Sequence, residues 1–195
     1  MTDVNEFKPF EISLRSLTYL KSAFGITGAK VLRLEITKAC ADDMKEILIL
    51  QREAFYEVGV RYKDPETTPL PQTLNELIEE SKGQTFLKAV RNGRIIGAVR
   101  GRLDGGVCRV SKVMVHPDCR NKGVGRRLMD AIENEFGVNV YELRTGHLDE
   151  MTISLYKKLG YVLTGEKERI SDTLWFVRMR KEKKRSLDPR CSEDP

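Results

Sequence analysis

Gly123 and Gly125 stand two positions apart in the segment RNKGVGRR, with Arg120, Lys122, Arg126 and Arg127 around them. The apolar stretch SKVMV precedes the segment, and apolar residues recur every four positions after it, at Val124, Leu128, Ile132 and Phe136. That pattern predicts a strand, a glycine loop and a helix that opens without a side-chain cap. The first N–H groups of a helix have no partner within it and carry a partial positive charge. Glycines let such a backbone approach an anion closely. The chemistry expected here is phosphate binding, and the surrounding basic residues suit more than one phosphate.

A Walker A loop needs Gly-x-x-x-x-Gly-Lys-Ser/Thr, which the chain lacks. A dinucleotide fingerprint needs a third glycine where Leu128 stands, although Glu142 lies at a suitable distance beyond it. On the loop alone, an NAD-binding oxidoreductase and a plain glycine turn with surface cations both stay open.

Titratable residues follow the loop. Tyr156 carries a phenol, which keeps its proton at neutral pH yet can pass it to a strong base. The alternative is a core tyrosine sharing a helical face with Thr152 and Leu159. Glu142, near the end of VNVYELRT, is a candidate base or an exposed strand charge. His147 is a second candidate base, since imidazole titrates near neutrality, and His116, beside Pro117, reads as a bystander. Glu57, Tyr62 and Asp64 fall in the helix–loop region before the central strands.

These residues need a frame. VLRLEIT, from Val31, reads as a strand. KACADDMKEILILQREAFYEV reads as a helix capped by Asp42 or Thr37, with Ile47, Leu50, Ala54 and Phe55 on one face. TLNELIEESKG is a short helix opened by a capping box from Thr73 to Glu76 and closed by Gly83. TFLKAV and RIIGAVRGRL flank a hairpin turn at Asn92-Gly93, and DGG turns into VCRVSKVMV. After the glycine-loop helix come the strand VNVYELRT, the helix DEMTISLYKKLG and two closing strands. The fold class is mixed α+β: a mostly antiparallel sheet with flanking helices.

The whole chain bounds what this frame can do. Its 195 residues, 40% hydrophobic and 32% charged, suit one globular domain with an added arm. No apolar run approaches the length of a membrane span, and the N-terminus lacks the features of a signal peptide, so a cytoplasmic protein with no membrane partner is expected. Cys40, Cys108, Cys119 and Cys191 are scattered and only two histidines exist, which argues against a metal site or a disulfide framework. The net charge of +5 gathers partly in the glycine loop and partly in the tail. With no aromatic interleaving and no helix-turn-helix signature, nucleic acid is not the expected partner.

Val113-x-Val115-x-Pro117 followed by Arg120-x-x-Gly123-x-Gly125 resembles the acetyl-CoA signature of the GCN5-related N-acetyltransferases. RIIGAVRGRL resembles that family's fourth strand, and ISLYKKLGYV its helix with the candidate catalytic tyrosine. The resemblance covers residues 31–181. It leaves 1–30 as an accessory arm, with Phe10, Leu14, Leu17 and Phe24 near helical spacing, and 182–195 as a basic, flexible tail.

The resemblance implies a sheet splayed at the cofactor strands and acetyl-CoA as acyl donor. The backbone of Val113, Met114 and Val115 would meet the pantetheine arm. Arg120, Asn121, Lys122, Gly123, Val124, Gly125 and Arg126 would wrap the pyrophosphate. Asp149 stands where many members carry an asparagine that touches the cofactor, after an apparent insertion around Gly146-His147. Tyr156 would be the acid and Glu142 the base in transfer to a small-molecule or peptide amine, with no metal and with a possible homodimer. Because an alkyl ammonium is almost wholly charged at neutral pH, a proton has to leave before attack. A backbone N–H on the strand before VMV would face the oxyanion. A non-catalytic CoA-binding regulatory module on the same fold is the alternative.

Overall fold

Apolar side chains alternate along the central strands, and the two alternate sets feed separate cores on opposite faces of one sheet. The structure is a computed structural model and describes residues 33–64 and 69–183. The expected arm, 1–30, and the tail beyond Lys183 lie outside the described residues. Among the described residues the strands are β1 (Glu35–Lys38), β2 (Thr85–Arg91), β3 (Arg94–Asp104), β4 (Val107–Val115), β5 (Val140–Gly146), β6 (Val162–Arg169) and β7 (Trp175–Glu182). The helices are α1 (Met44–Tyr62), α2 (Leu74–Ser81), α3 (Val124–Phe136) and α4 (Glu150–Lys158). The sheet order is β1-β2-β3-β4-β5-β7-β6, antiparallel throughout except for the parallel pair β4–β5. No helix among the described residues is long and apolar enough to cross a membrane.

On one face Ile47, Leu50 and Ala54 of α1 and Leu77 of α2 pack on Phe86, Ala98 and Met114. On the other, Val124, Leu128 and Ile132 of α3 pack with Tyr156 of α4 against Leu87, Val99, Val110, Leu143 and Met179. Burying each large apolar side chain is worth roughly 1.5–3 kcal/mol. The α3 stripe therefore anchors the glycine loop that precedes it.

Several local expectations hold. Thr73 and Glu76 form the capping box, with Thr73 N–H donating to Glu76 Oε2 at 2.7 Å and Glu76 N–H donating to Thr73 Oγ1 at 3.3 Å. Asn92 and Gly93 have φ of 56° and 75°, the positive pair a tight hairpin requires. Others shift. β1 begins at Glu35, after Arg33 and Leu34, and Thr37 lies inside it, while Val31 lies outside the described residues. Neither Asp42 nor Thr37 caps the first helix: a 3₁₀ turn, Ala41–Asp43, precedes α1, and the Asp43 carboxylate accepts from Cys40 N–H at 2.8 Å. Gly59 does not stop α1, because it is buried with Tyr62 and tertiary packing outweighs its poor helix propensity. α2 ends at Ser81, short of Gly83.

Two irregularities in β4 shape the site. Ala98 pairs with Met114 but Arg100 pairs with Ser111, so Lys112 and Val113 together stand opposite Val99. This is a β-bulge, and Lys112 takes a φ of 46° to make it. On the other edge, β4 pairs with β5 only from Val107↔Val140 to Val110↔Leu143. Both strands continue, β4 to Val115 and β5 to Gly146, without pairing. The sheet is split between them.

Candidate active site

A cleft of ≈ 1610 Å³ occupies the split. The backbone of Ser111 to Val115 forms one wall, and on the side facing β5 its N–H and C=O groups lack a ladder partner. Met114 offers only backbone to the cleft, because its side chain is buried against α1.

The glycine loop closes one end. Gly123 is the N-cap residue of α3 with φ of 78°, and Asn121 has φ of 59°. The first bond of the helix runs from Arg127 N–H to Gly123 O, at 3.1 Å. The N–H groups of Val124, Gly125 and Arg126 are thus left for an outside acceptor. A Cβ on Gly123 would meet nothing within 4 Å, so its glycine serves the left-handed backbone rather than relieving a clash. On Gly125 a Cβ would touch Leu155 at 3.4 Å, an ordinary contact.

The basic side chains of the loop divide by partner. Arg120 donates to Glu57 of α1 and, at 3.0 Å, to the Ala54 carbonyl, so it fastens the loop to α1. Lys122 Nζ donates to the Asp118 carbonyl at 2.7 Å and does not line the cleft. Arg127 turns away to the Leu34 carbonyl, at 2.8 Å. Arg126 lines the cleft and, among the described residues, has no ion-pair or hydrogen-bond partner. Unpaired N–H groups, a left-handed glycine and an unengaged guanidinium together fit a pyrophosphate.

Tyr156 projects from α4 into the opposite wall. It is 5% exposed and lies 6.0 Å, ring centroid to centroid, from Tyr161. Its hydroxyl has no hydrogen-bond partner among the described residues and belongs to a residue lining the cleft. Burial, aided by the charge of Asp149, pushes the phenol well above its ordinary pKa, so it stays protonated. Its neighbour Tyr161 differs in donating to Glu133 Oε1 at 3.0 Å.

Asp149 precedes α4 and lines the cleft, with its carboxylate paired to Arg61 of α1. Burial raises its pKa and the Arg61 charge opposes the rise. Glu142 also lines the cleft, but its oxygens are engaged by the flanking strands: Arg109 of β4 donates to Oε2 at 2.8 Å and Arg180 of β7 to Oε1 at 2.9 Å. Register explains this, since Glu142 stands directly opposite both arginines. His147 does not line the cleft; its Nδ1 sits 3.2 Å from the Trp175 carbonyl oxygen and its ring 5.6 Å from Tyr62. His116 lies outside as well, with Nε2 3.4 Å from Glu53 Oε2. Tyr62 is buried, and its hydroxyl accepts from Leu148 N–H at 2.8 Å.

A sequence model of the acetyltransferase (GNAT) domain matches residues 53–183. The chain belongs to the GNAT acetyltransferase family. An IAA acetyltransferase of Azospirillum brasilense is 35% identical over 85 residues, 41% of this chain and 56% of that relative; the match spans little more than half of the relative's length. An acetyltransferase of Yersinia pestis (strain Pestoides F) is 28% identical over 131 residues, covering 66% of this chain and 87% of the relative. Among solved structures, the PaiA N-acetyltransferase of Thermoplasma acidophilum in complex with coenzyme A superposes with a TM-score of 0.59 at 18% identity, over 77% of this chain and 99% of that one. The ribosomal-protein-S18-alanine N-acetyltransferase of Escherichia coli gives 0.63 at 16% identity, over 77% and 94%. At such identities the likeness is one of fold.

Within this GNAT domain, sequence reasoning missed Arg61 and the buried group of Arg100 and Glu80. Lys112, on β4, reaches Glu80 of α2 in the same group. One signal was available. Arg100 interrupts the apolar run of β3 at a position that faces a covered side of the sheet.

Proposed function

We propose that the protein transfers an acetyl group from acetyl-CoA to an amine. The observation that carries this reading is the early end of β4–β5 pairing, at Val110↔Leu143, in front of the unpaired N–H groups of α3. The residues present suit such a donor. The β4 edge at Val113–Val115 offers peptide groups to an extended amide chain, and the first turn of α3 with Arg126 suits the pyrophosphate.

Bound acetyl-CoA supplies a thioester, whose C–S bond breaks as the amine nitrogen forms its bond to carbon. The chain's part is to orient, polarise and move protons. An N–H released by the bulge at Lys112–Val113 serves the carbonyl oxygen, as a fixed donor that strengthens with developing charge. Tyr156, protonated and without a hydrogen-bond partner among the described residues, gives its proton to the departing sulfur. The amine loses its proton to water in the open cleft. Glu142, held between Arg109 and Arg180, fixes the strands below the split.

A thiol-release assay with acetyl-CoA across a panel of amines tests the reading. Stoichiometric thiol and N-acetylated product are expected with at least one acceptor. Tight binding of acetyl-CoA with no turnover on any amine favours a CoA-binding regulatory module instead.

A further inference from the structure

Arg100 is 0% exposed, on the face of β3 that carries α1 and α2. Its guanidinium lies 4.6 Å from the centroid of the Phe86 ring and donates to Glu80 and Gln51, while its Nε has no partner. Lys112 reaches the same carboxylate from the bulge of β4, with Nζ 3.1 Å from Glu80 Oε2 and 3.2 Å from Gln72 Oε1. The side-chain amides of Gln72 and Gln84 also donate to Glu80, at 2.7 and 3.2 Å. Among the described residues, two cations therefore share one carboxylate in this cluster.

The electrostatics follow from that count. Burial lowers the Lys112 pKa and the Arg100 charge lowers it further, with Glu80 offsetting only part. Burial works to raise Glu80, yet Gln72, Arg100 and Lys112 together hold it down at about 2. Buried charge is stable when opposite charge matches it. Among the described residues the shortfall is of negative charge, and Lys112, Glu80 and Gln84 all line the cleft. Lys112 directly precedes the unpaired edge Val113–Val115, and its side chain leaves toward α2, away from the face that holds Tyr156.

We propose that Lys112 and Gln84 form a carboxylate subsite, and that the acceptor is a small amine bearing a carboxylate, of the amino-acid type. Its carboxylate supplies the negative charge that the described residues of the cluster lack, and its amine, a few bonds away, lies at the split beside the β4 edge. A neutral amine leaves the subsite unfilled, and selectivity arises from that unfilled polar site. The proposal rests on the acetyltransferase reading for its setting, but the subsite itself can be tested by binding alone.

Two measurements on the full chain decide it. The first is acetylation of amino acids against their matched amides. The amide has the less basic amine, which favours it, so a preference for the acid cannot come from amine basicity. A preference for the acid of about tenfold or more in kcat/KM is expected, as for a charge-assisted hydrogen bond. Lys112→Gln should abolish the preference and Lys112→Arg should keep it. Amides served as well as acids, or a preference that survives in Lys112→Gln, overturns the subsite and leaves the acetyltransferase reading standing. The second is calorimetry of N-acetylated amino acids and their amides in the presence of CoA, which needs no turnover. Tighter binding of the carboxylates, lost in Lys112→Gln, supports the subsite even if no acceptor reacts. Equal binding of both, or no detectable binding of the carboxylates, overturns it.

Discussion

Arg61 near the C-terminus of α1 forms an ion pair with Asp149 at the head of α4, so helices on opposite faces of the sheet are joined beside the cleft. Gly146 makes the approach possible. A Cβ there would lie 2.6 Å from Asp149 Oδ2 and 2.8 Å from Tyr62 Cζ. Gly146→Ala should cost about 1–3 kcal/mol, the usual range for overpacking, as read by urea unfolding.

The same pair predicts a pH dependence. Burial holds the Asp149 proton more tightly in the folded state than in the unfolded one. The folded state therefore gains stability as pH falls through the raised value, and the ionised carboxylate costs stability above it. Asp149→Asn should flatten stability against pH in that window. Arg61→Ala, which leaves the carboxylate without its cation, should cost about 1–3 kcal/mol at neutral pH. The double variant should recover most of that loss. A loss in the double variant equal to the sum of the two single losses would show that the pair carries no coupling.

Tyr156→Phe removes a hydroxyl that has no hydrogen-bond partner among the described residues, so stability should stay within about 0.5 kcal/mol of the parent. The reaction should slow by roughly 10²- to 10⁴-fold in kcat, with acetyl-CoA affinity nearly unchanged. A loss of less than about threefold, with chemistry rate-limiting, would remove Tyr156 from the acid role.

Gly123→Val places a branched residue at a φ of 78°, which costs about 1–3 kcal/mol of strain and moves the first turn of α3. Arg126→Ala separates binding from strain, since Arg126 supports nothing else among the described residues. Calorimetry should show acetyl-CoA bound about tenfold more weakly by Arg126→Ala, with a shallower salt dependence and an unchanged melting temperature. Unchanged affinity in both variants would move the pyrophosphate elsewhere.

Glu142→Gln distinguishes a strand tie from a base. As a tie between Arg109 and Arg180, it should lower the melting temperature while kcat changes by less than about threefold. A base contributes roughly 10²-fold or more, so a loss of that size in a stably folded variant would assign Glu142 to proton transfer.

Sequence alone determined the features whose causes are local. Glycine at 123 and the apolar spacing of Val124, Leu128 and Ile132 placed the loop and α3. Asn92-Gly93 placed the hairpin, and Thr73 with Glu76 opened α2. Each depends on backbone conformation or on one helical face, and both are written within a few residues. The resemblance of Arg120-x-x-Gly123-x-Gly125 and of ISLYKKLGYV to one family led to the fold and to Tyr156 in the cleft wall. Tertiary structure decided which charges meet. Glu142 looked like a strand-end carboxylate until register set Arg109 and Arg180 opposite it. Arg61 and Asp149, 88 residues apart in the chain, meet only because α1 reaches the head of α4. Lys112, next to Val113 on β4, is turned toward Glu80 by a bulge in the β3–β4 register. A charge's partner depends on register and helix docking, and long-range packing fixes both.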